Sequence, residues 1–252
     1  MSTLHIAIVG GGAAGLFAAI TAKHNYPDTD VCIFEKNNKL LAKVAITGGG
    51  RCNLTNSFAD IADLSNAYPR GHKLIKRLFN TFDYDDVYQW FEDHGVPLVT
   101  QEDNCVFPQS QDSQSIIDCL ISTARQLGVK FRLGCTITSI EQMPDGKLCL
   151  TSTCGLAGAT QKQHYDRVAV TTGGSPQMKG LEFLSTVVRK LESPVASLFT
   201  LTINDRRLQS MMGTVVNPVT VSIPSTKFNA EGPLLITHWG VSGPAVLKLS
   251  SY

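Results

Sequence analysis

Ile6-Ala-Ile-Val-Gly-Gly-Gly-Ala-Ala-Gly15 is the stretch whose reading decides the fold. Its first four residues are strand formers without polar alternation, the pattern of a parallel strand buried on both faces. The strand runs straight into Gly10, Gly12 and Gly15. Glycine at these positions serves a tight turn, close approach of the backbone to a pyrophosphate, and close packing of the next helix on the strand. That helix, Leu16 to about His24, is Ala-rich and apolar and stops at Asn25-Tyr-Pro-Asp28. Its N-terminus, at Ala13 and Ala14, offers N–H groups and a partial positive charge to phosphates. A second strand, Val31 to Phe34, ends on Glu35, twenty residues after Gly15. An acid at that distance is placed to accept hydrogen bonds from both hydroxyls of an adenosine ribose. The unit predicts a bound dinucleotide and leaves FAD and NAD open.

The chain has 252 residues, enough for one large core or two domains. With 43% hydrophobic and 17% charged residues it reads as an ordinary soluble globular protein. A net charge of +1 argues against nucleic acid or an anionic membrane as the main partner. Lys36, Lys39 and Lys43, like Lys73, Lys76 and Arg77, read as solvated faces. The first apolar run is broken by glycines at once, unlike a signal peptide, and no apolar span of about twenty residues follows, so a cytoplasmic protein is expected. Seven cysteines, an odd number without Cys-x-x-Cys, suggest neither a disulfide framework nor a paired-thiol redox centre. No metal site is expected.

Further along, Thr47-Gly-Gly-Gly-Arg-Cys-Asn-Leu-Thr-Asn56 makes a poor core and a good ligand cradle, with bare backbone, a guanidinium and amides. Together with Gly10-x-Gly12-x-x-Gly15 and Glu35-Lys36, it resembles the HI0933-like (YhiN- or BaiN-type) family of flavoproteins. The resemblance implies an FAD-dependent oxidoreductase in which Gly49, Gly50, Arg51, Cys52 and Asn53 lie along the FAD. It also implies a Rossmann-like FAD-binding domain at 1–192, with a parallel sheet, helices and a β-hairpin or meander crossover. A partial β-rich inserted domain at 193–252 would follow.

Between these motifs, Asp83 predicts a helix N-cap, with Phe82 and Val87 as a hydrophobic staple, and Trp90 reads as core. Ile116, Ile117, Leu120, Ile121, Ala124 and Leu127 predict a helix from about Ser113 that closes on Gly128. Val129 to Leu133 reads as the third strand, and Pro144-Asp-Gly146 as the turn of a hairpin. In flavoproteins of this class main-chain groups just after the third strand meet the adenine, which implies Thr136 and Ile137. Arg167 to Thr171 leads to Thr172-Gly173, close to the Ala-Thr-Gly that such proteins carry beside the cofactor. This tips the choice from NAD to FAD. A helix is expected at Leu181 to Leu191 and a boundary at Ser193-Pro194.

The closing Thr237-His-Trp-Gly-Val-Ser-Gly-Pro244 resembles a string of the family's inserted domain. His238 is the best-placed candidate proton donor, although it reads first as a structural histidine, and Arg51 is placed to stabilise charge on a reduced flavin. Family members are longer than this chain, whose end falls inside the inserted domain, so its FAD affinity is expected below that of a full-length relative. The expected reaction is hydride transfer between flavin and a small-molecule substrate, with NAD(P)H as a possible donor. The alternatives are an NAD-dependent dehydrogenase with a single Rossmann domain and a non-catalytic dinucleotide-binding module.

Overall fold

The computed structural model describes residues 3–155 and 158–252. The chain divides into two units, one made of residues 1–58 and 83–194, the other of 59–82 and 195–252. The break after Pro194 lies two residues from the boundary expected at 192, whereas residues 59–82, expected inside the first domain, pack with the second unit.

The strands of the first unit are β1 (His5–Val9), β2 (Asp30–Phe34), β3 (Thr55–Asn56), β4 (Leu98–Thr100), β5 (Cys105–Pro108), β6 (Lys130–Arg132), β7 (Cys135–Gln142), β8 (Leu148–Cys154), β9 (Ala159–Tyr165) and β10 (Arg167–Val170). Four of them form a parallel sheet in the order β10-β1-β2-β6. Ile8 is level with Ile33 on one side and with Ala169 on the other.

Alternation along β1 and β2 explains why neither strand has a polar face. Ile8, Val31 and Ile33 point to a cluster with Leu16, Ala19 and Ile20 of helix Ala13–Asn25 and Ile116, Ile117, Leu120 and Ala124 of helix Ser113–Gln126. Ala7, Val9, Cys32 and Phe34 point the other way, to Ile137, Ile140, Leu150 and Tyr165 of the antiparallel sheet β7-β8-β9. Strands buried on both sides must be apolar throughout. The result is a sheet between two helices and a three-stranded meander, which supplies the crossover from β6 to β10. Truncating a fully buried side chain such as Ile33 would cost about 2–5 kcal/mol.

Helix Tyr84–Asp93 starts on a capping box: Asp83 accepts from the Asp85 and Asp86 amides, and Asp86 accepts from the Asp83 amide. Trp90 packs edge-on to Phe17 at 5.2 Å, as a core ring. The helix expected over Leu181–Leu191 is instead a 3-10 segment, Met178–Leu184, followed by turns. Thr186-Val187-Val188 is a β-branched run that a helix tolerates poorly. The Thr186 hydroxyl donates to the Ile140 carbonyl instead, while Phe183 and Leu184 pack against the meander core.

The absence of a disulfide is also corrected: Cys135 and Cys154 are bonded to each other. They are directly opposite in the β7–β8 register, a relation that sequence spacing alone does not reveal.

In the second unit, β11 (Leu201–Thr202), β12 (Val215–Ser222), β13 (Asn229–Thr237) and β14 (Gly240–Ser242) form an antiparallel sheet ordered β11-β14-β13-β12. Helix Pro244–Ser250 begins with proline, whose missing N–H costs nothing in a first turn, and buries Ala245, Val246 and Leu249. Helix His72–Phe79 also belongs to this unit.

Candidate functional site

β1 ends at Gly10, whose φ of +114° only glycine adopts without strain. A Cβ there would stand 2.6 Å from the Thr171 carbonyl oxygen, so β10 closes on the turn as tightly as backbone allows. A Cβ on Gly15 would overlap the Gly10 carbonyl oxygen and lie 2.9 Å from Thr171 Oγ1. The Thr171 hydroxyl donates to the carbonyls of Val9 and Gly10 at 3.1 and 3.0 Å, pinning the turn from the β10 side. Gly12, the helix N-cap, is different in kind, because a Cβ built there meets nothing within 4 Å. No side chain caps this helix, so the N–H groups of its first turn, at Ala13 and Ala14, lack the partner that a capping side chain would give. Tight glycines behind and an open one in front make a cradle fit for a diphosphate.

Glu35 is buried at the end of β2. Its Oε2 accepts the Gly11 amide at 2.8 Å, and its Oε1 accepts the backbone and side-chain nitrogens of Asn37 at 2.8 and 2.7 Å. The acid thus clamps the glycine turn, with one lone pair left on Oε2 for a further donor. Its own carbonyl accepts the Cys135 amide at 2.9 Å, which starts β7 beside the same corner. Next in β7 come Thr136, exposed, and Ile137, buried. Lys36 is exposed beyond Glu35.

Leu41 extends this corner: it is buried at φ +56°, and its amide donates to the Gly11 carbonyl at 2.8 Å. The segment then enters the 3-10 piece Val44–Gly50, in which Gly48 and Gly49 have φ of +58° and +69°. A Cβ on Gly48 would strike the Asn53 amide nitrogen at 2.6 Å, while Gly49 faces open space. Arg51 stands over the Phe107 ring at 4.3 Å, donates from Nη1 to Gln111 at 3.2 Å, and remains exposed. Cys52 is buried, and burial raises its thiol pKa, so it behaves as a small apolar group rather than a thiolate. Asn53 is exposed.

The structure brings Gly10, Gly12, Ala13, Ala14, Gly15, Glu35, Thr172 and Gly173 together at the carboxyl ends of β1, β2 and β10. In the order β10-β1-β2-β6, β1 is where successive connections part to opposite sides, the usual ligand position of an open parallel sheet. Thr136 and Ile137 lie at the Glu35 corner, and Gly49 to Asn53 form a second patch built on Phe107 and Gln111. His238 belongs to the other unit, at the β13–β14 turn, where it meets the Trp239 ring edge-on at 4.2 Å. Sequence reasoning missed Asn37, Leu41 and Thr171, whose only signals were an amide two residues after the acid and a threonine at a strand end. A surface cleft of about 300 Å³ lined by His94, Ser110, Ser115, Asp118 and Ser122 contains none of the expected site residues. Among the described residues, no group of three or more His, Cys, Asp or Glu could hold a metal. No helix among them is long and apolar enough to cross a membrane.

Residues 4–243 match the sequence profile of the HI0933-like protein Rossmann domain. The chain belongs to the HI0933-like family. Among characterised relatives it is 28% identical over 254 residues to the ribosomal RNA dihydrouridine synthase of Escherichia coli K12, a match covering 97% of this chain and 60% of that one. It is 24% identical over 255 residues to the 3-dehydro-bile acid delta(4,6)-reductase of Clostridium scindens, covering 98% of this chain and 60% of that one. The HI0933-like chain described here therefore spans 60% of the length of either relative.

Among solved structures, the open conformation of a flavocytochrome c3 fumarate reductase superposes with a TM-score of 0.60 at 18% identity, over 86% of this chain and 47% of that one. The 3-ketosteroid-delta4-(5alpha)-dehydrogenase of Rhodococcus jostii RHA1 follows at 0.52 and 17%, over 71% and 48%. At such identities these likenesses concern the fold.

Proposed function

We propose that this chain is the dinucleotide-holding part of an FAD-dependent oxidoreductase, in which hydride passes between a small-molecule substrate and the flavin. One observation carries the reading: Gly12 stands open at an uncapped helix N-terminus while Gly10, Gly15 and Thr171 lock the backbone behind it. The first-turn amides at Ala13 and Ala14 take the diphosphate, and Glu35 keeps the turn in shape while accepting from the ribose. Main-chain groups of Thr136 and Ile137 serve the adenine. Lys36, Gly49, Gly50, Arg51, Cys52 and Asn53, with Thr172 and Gly173, serve the remainder of the cofactor. A bound flavin would supply the hydride acceptor and donor, and the protein positioning and charge. The Arg51 guanidinium, exposed on one side, is free to face charge on the reduced ring. NADH or NADPH is the donor to test first, and a cytoplasmic site of action fits this chemistry.

The names of the two relatives suggest a substrate class, since a delta(4,6)-reductase and a dihydrouridine synthase both saturate ring carbons in conjugation with a carbonyl. We take an unsaturated ring carbonyl compound as the substrate. A second reading, in which that ring is a base within RNA, is favoured by the charge of the second unit: eight Lys and Arg stand against four Asp and Glu. Under anaerobic conditions the FAD-loaded protein should lose its absorption band near about 450 nm on adding NADH or NADPH. The band should return with a cyclic enone under the first reading, and with a uridine-containing RNA under the second. A reduced flavin that neither reoxidises would leave a binding module without turnover.

A further inference from the structure

The backbone on both sides of Lys43 is fixed. Leu41 is tied to Gly11 through its amide; the Ala45 amide donates back to the Leu41 carbonyl at 3.1 Å, and the Ala45 carbonyl takes the Ser113 hydroxyl at 3.1 Å. From this base the Lys43 side chain reaches the segment after β10, where a Cβ built on Gly173 would lie 3.6 Å from Nζ. Gly173 itself has φ +75° and follows Thr172, whose amide nitrogen stands 3.0 Å from a Cβ built on Gly10. The ammonium therefore stands beside the segment that leaves β10 where that strand packs on the Gly10 turn.

Three other cations of the same unit are engaged elsewhere. Lys130 pairs with Asp30 at 2.8 Å, Arg132 donates to Gln161 at 3.1 Å, and Arg51 lies on Phe107 and Gln111. Among the described residues, Lys43 has neither a carboxylate within 4.0 Å nor a hydrogen-bond acceptor for its ammonium. A cation without a partner on the strand-end segment that packs against a glycine turn, whose helix opens with uncapped amides, is a complement to a doubly charged anion. We infer that Lys43 is a phosphate-binding residue whose ammonium neutralises the diphosphate of the bound dinucleotide. This rests on the dinucleotide reading above and extends it to a residue that its sequence context presented as a solvated surface charge. A lysine suits this task as a point charge on a flexible stem, without the fixed fork of arginine.

The test is calorimetric titration of the chain with ADP, FAD and adenosine, for wild type, Lys43→Met and Lys43→Arg. Loss of one charge-assisted phosphate contact should weaken ADP and FAD about tenfold in K43M. Adenosine, which lacks phosphate, should bind wild type and K43M alike, and K43R should recover most of the ADP affinity. ADP binding by K43M equal to wild type, an equal loss for adenosine, or K43R as weak as K43M would each overturn the inference while leaving the dinucleotide reading intact. A wild-type chain that binds neither ADP nor FAD would overturn both. Exposure of Lys43 predicts that K43M and wild type melt together, which separates lost binding from lost folding.

Discussion

The carboxylate of Glu35 accepts the amide hydrogen of Gly11 at 2.8 Å, so the acid that closes β2 also holds the turn that closes β1. Its other oxygen is bonded to Asn37, and the whole group is buried. Replacing Glu35 by alanine leaves the buried Gly11 donor without its partner, and the expected loss is about 1–3 kcal/mol of stability. Glutamine keeps one acceptor oxygen and should lose less. Urea unfolding of E35A and E35Q checks this; an E35A protein as stable as wild type would contradict the clamp.

Gly12 and Gly15 lie three positions apart and have opposite surroundings. A methyl group on Gly15 collides with backbone that cannot give, so Gly15→Ala should destabilise the fold by about 1–3 kcal/mol. Gly12 has φ −83°, which any residue accepts, and open space in front. Gly12→Ala should therefore melt within about 0.5 kcal/mol of wild type and yet bind FAD or ADP more weakly, because its methyl occupies the approach to the first-turn amides. Thermal melts and binding titrations on the same two preparations separate the roles.

Arg51 binds Phe107 and Gln111 from an exposed position, contacts that contribute about 0.5–1 kcal/mol at such a site. Arg51→Ala should cost little stability. If the guanidinium also faces reduced flavin, the midpoint potential of the bound cofactor falls in the variant, because the reduced form loses a compensating charge. An unchanged potential would remove Arg51 from that role and leave it as a support for the triglycine bend.

Asp30 at the start of β2 has a pKa held below the usual carboxylate value, chiefly by the hydrogen bond from the Lys130 ammonium, with His5 adding to it. A carboxyl depressed in the folded state contributes stability above its unfolded value of about 3.9. That contribution is lost as pH falls through the lower folded value. The group is partly exposed, so the effect is small. Melting temperatures of wild type and Asp30→Asn should converge as pH drops from about 5 to 2, and parallel curves would contradict the pairing.

The first unit was legible where local chemistry and burial coincide. Ile6 to Gly15, the capped helix after Asp83 and the apolar stripe from Ile116 to Ala124 each carry their own signal, and each formed as read. What sequence did not reveal depends on partners distant in the chain. The Cys135–Cys154 bond needs the β7–β8 register, Thr171 acts only because β10 lies against Gly10, and Leu181 to Leu191 yields to packing on the meander. Helix His72–Phe79 was missed because its short apolar stripe, Leu74 and Leu78, stays half exposed and follows an irregular polar stretch. The glycines of the site were readable as a set, but which of them packs and which opens to a ligand required the surrounding atoms.

Equilibrium dialysis of the purified chain against FAD and against NAD tests the central claim most directly. The account predicts that FAD binds with a weak affinity that saturates at one per chain, that Gly12→Ala lowers this affinity further, and that NAD does not compete at equal concentration. Retention of NAD alone, or FAD retention indifferent to Gly12→Ala, would contradict it.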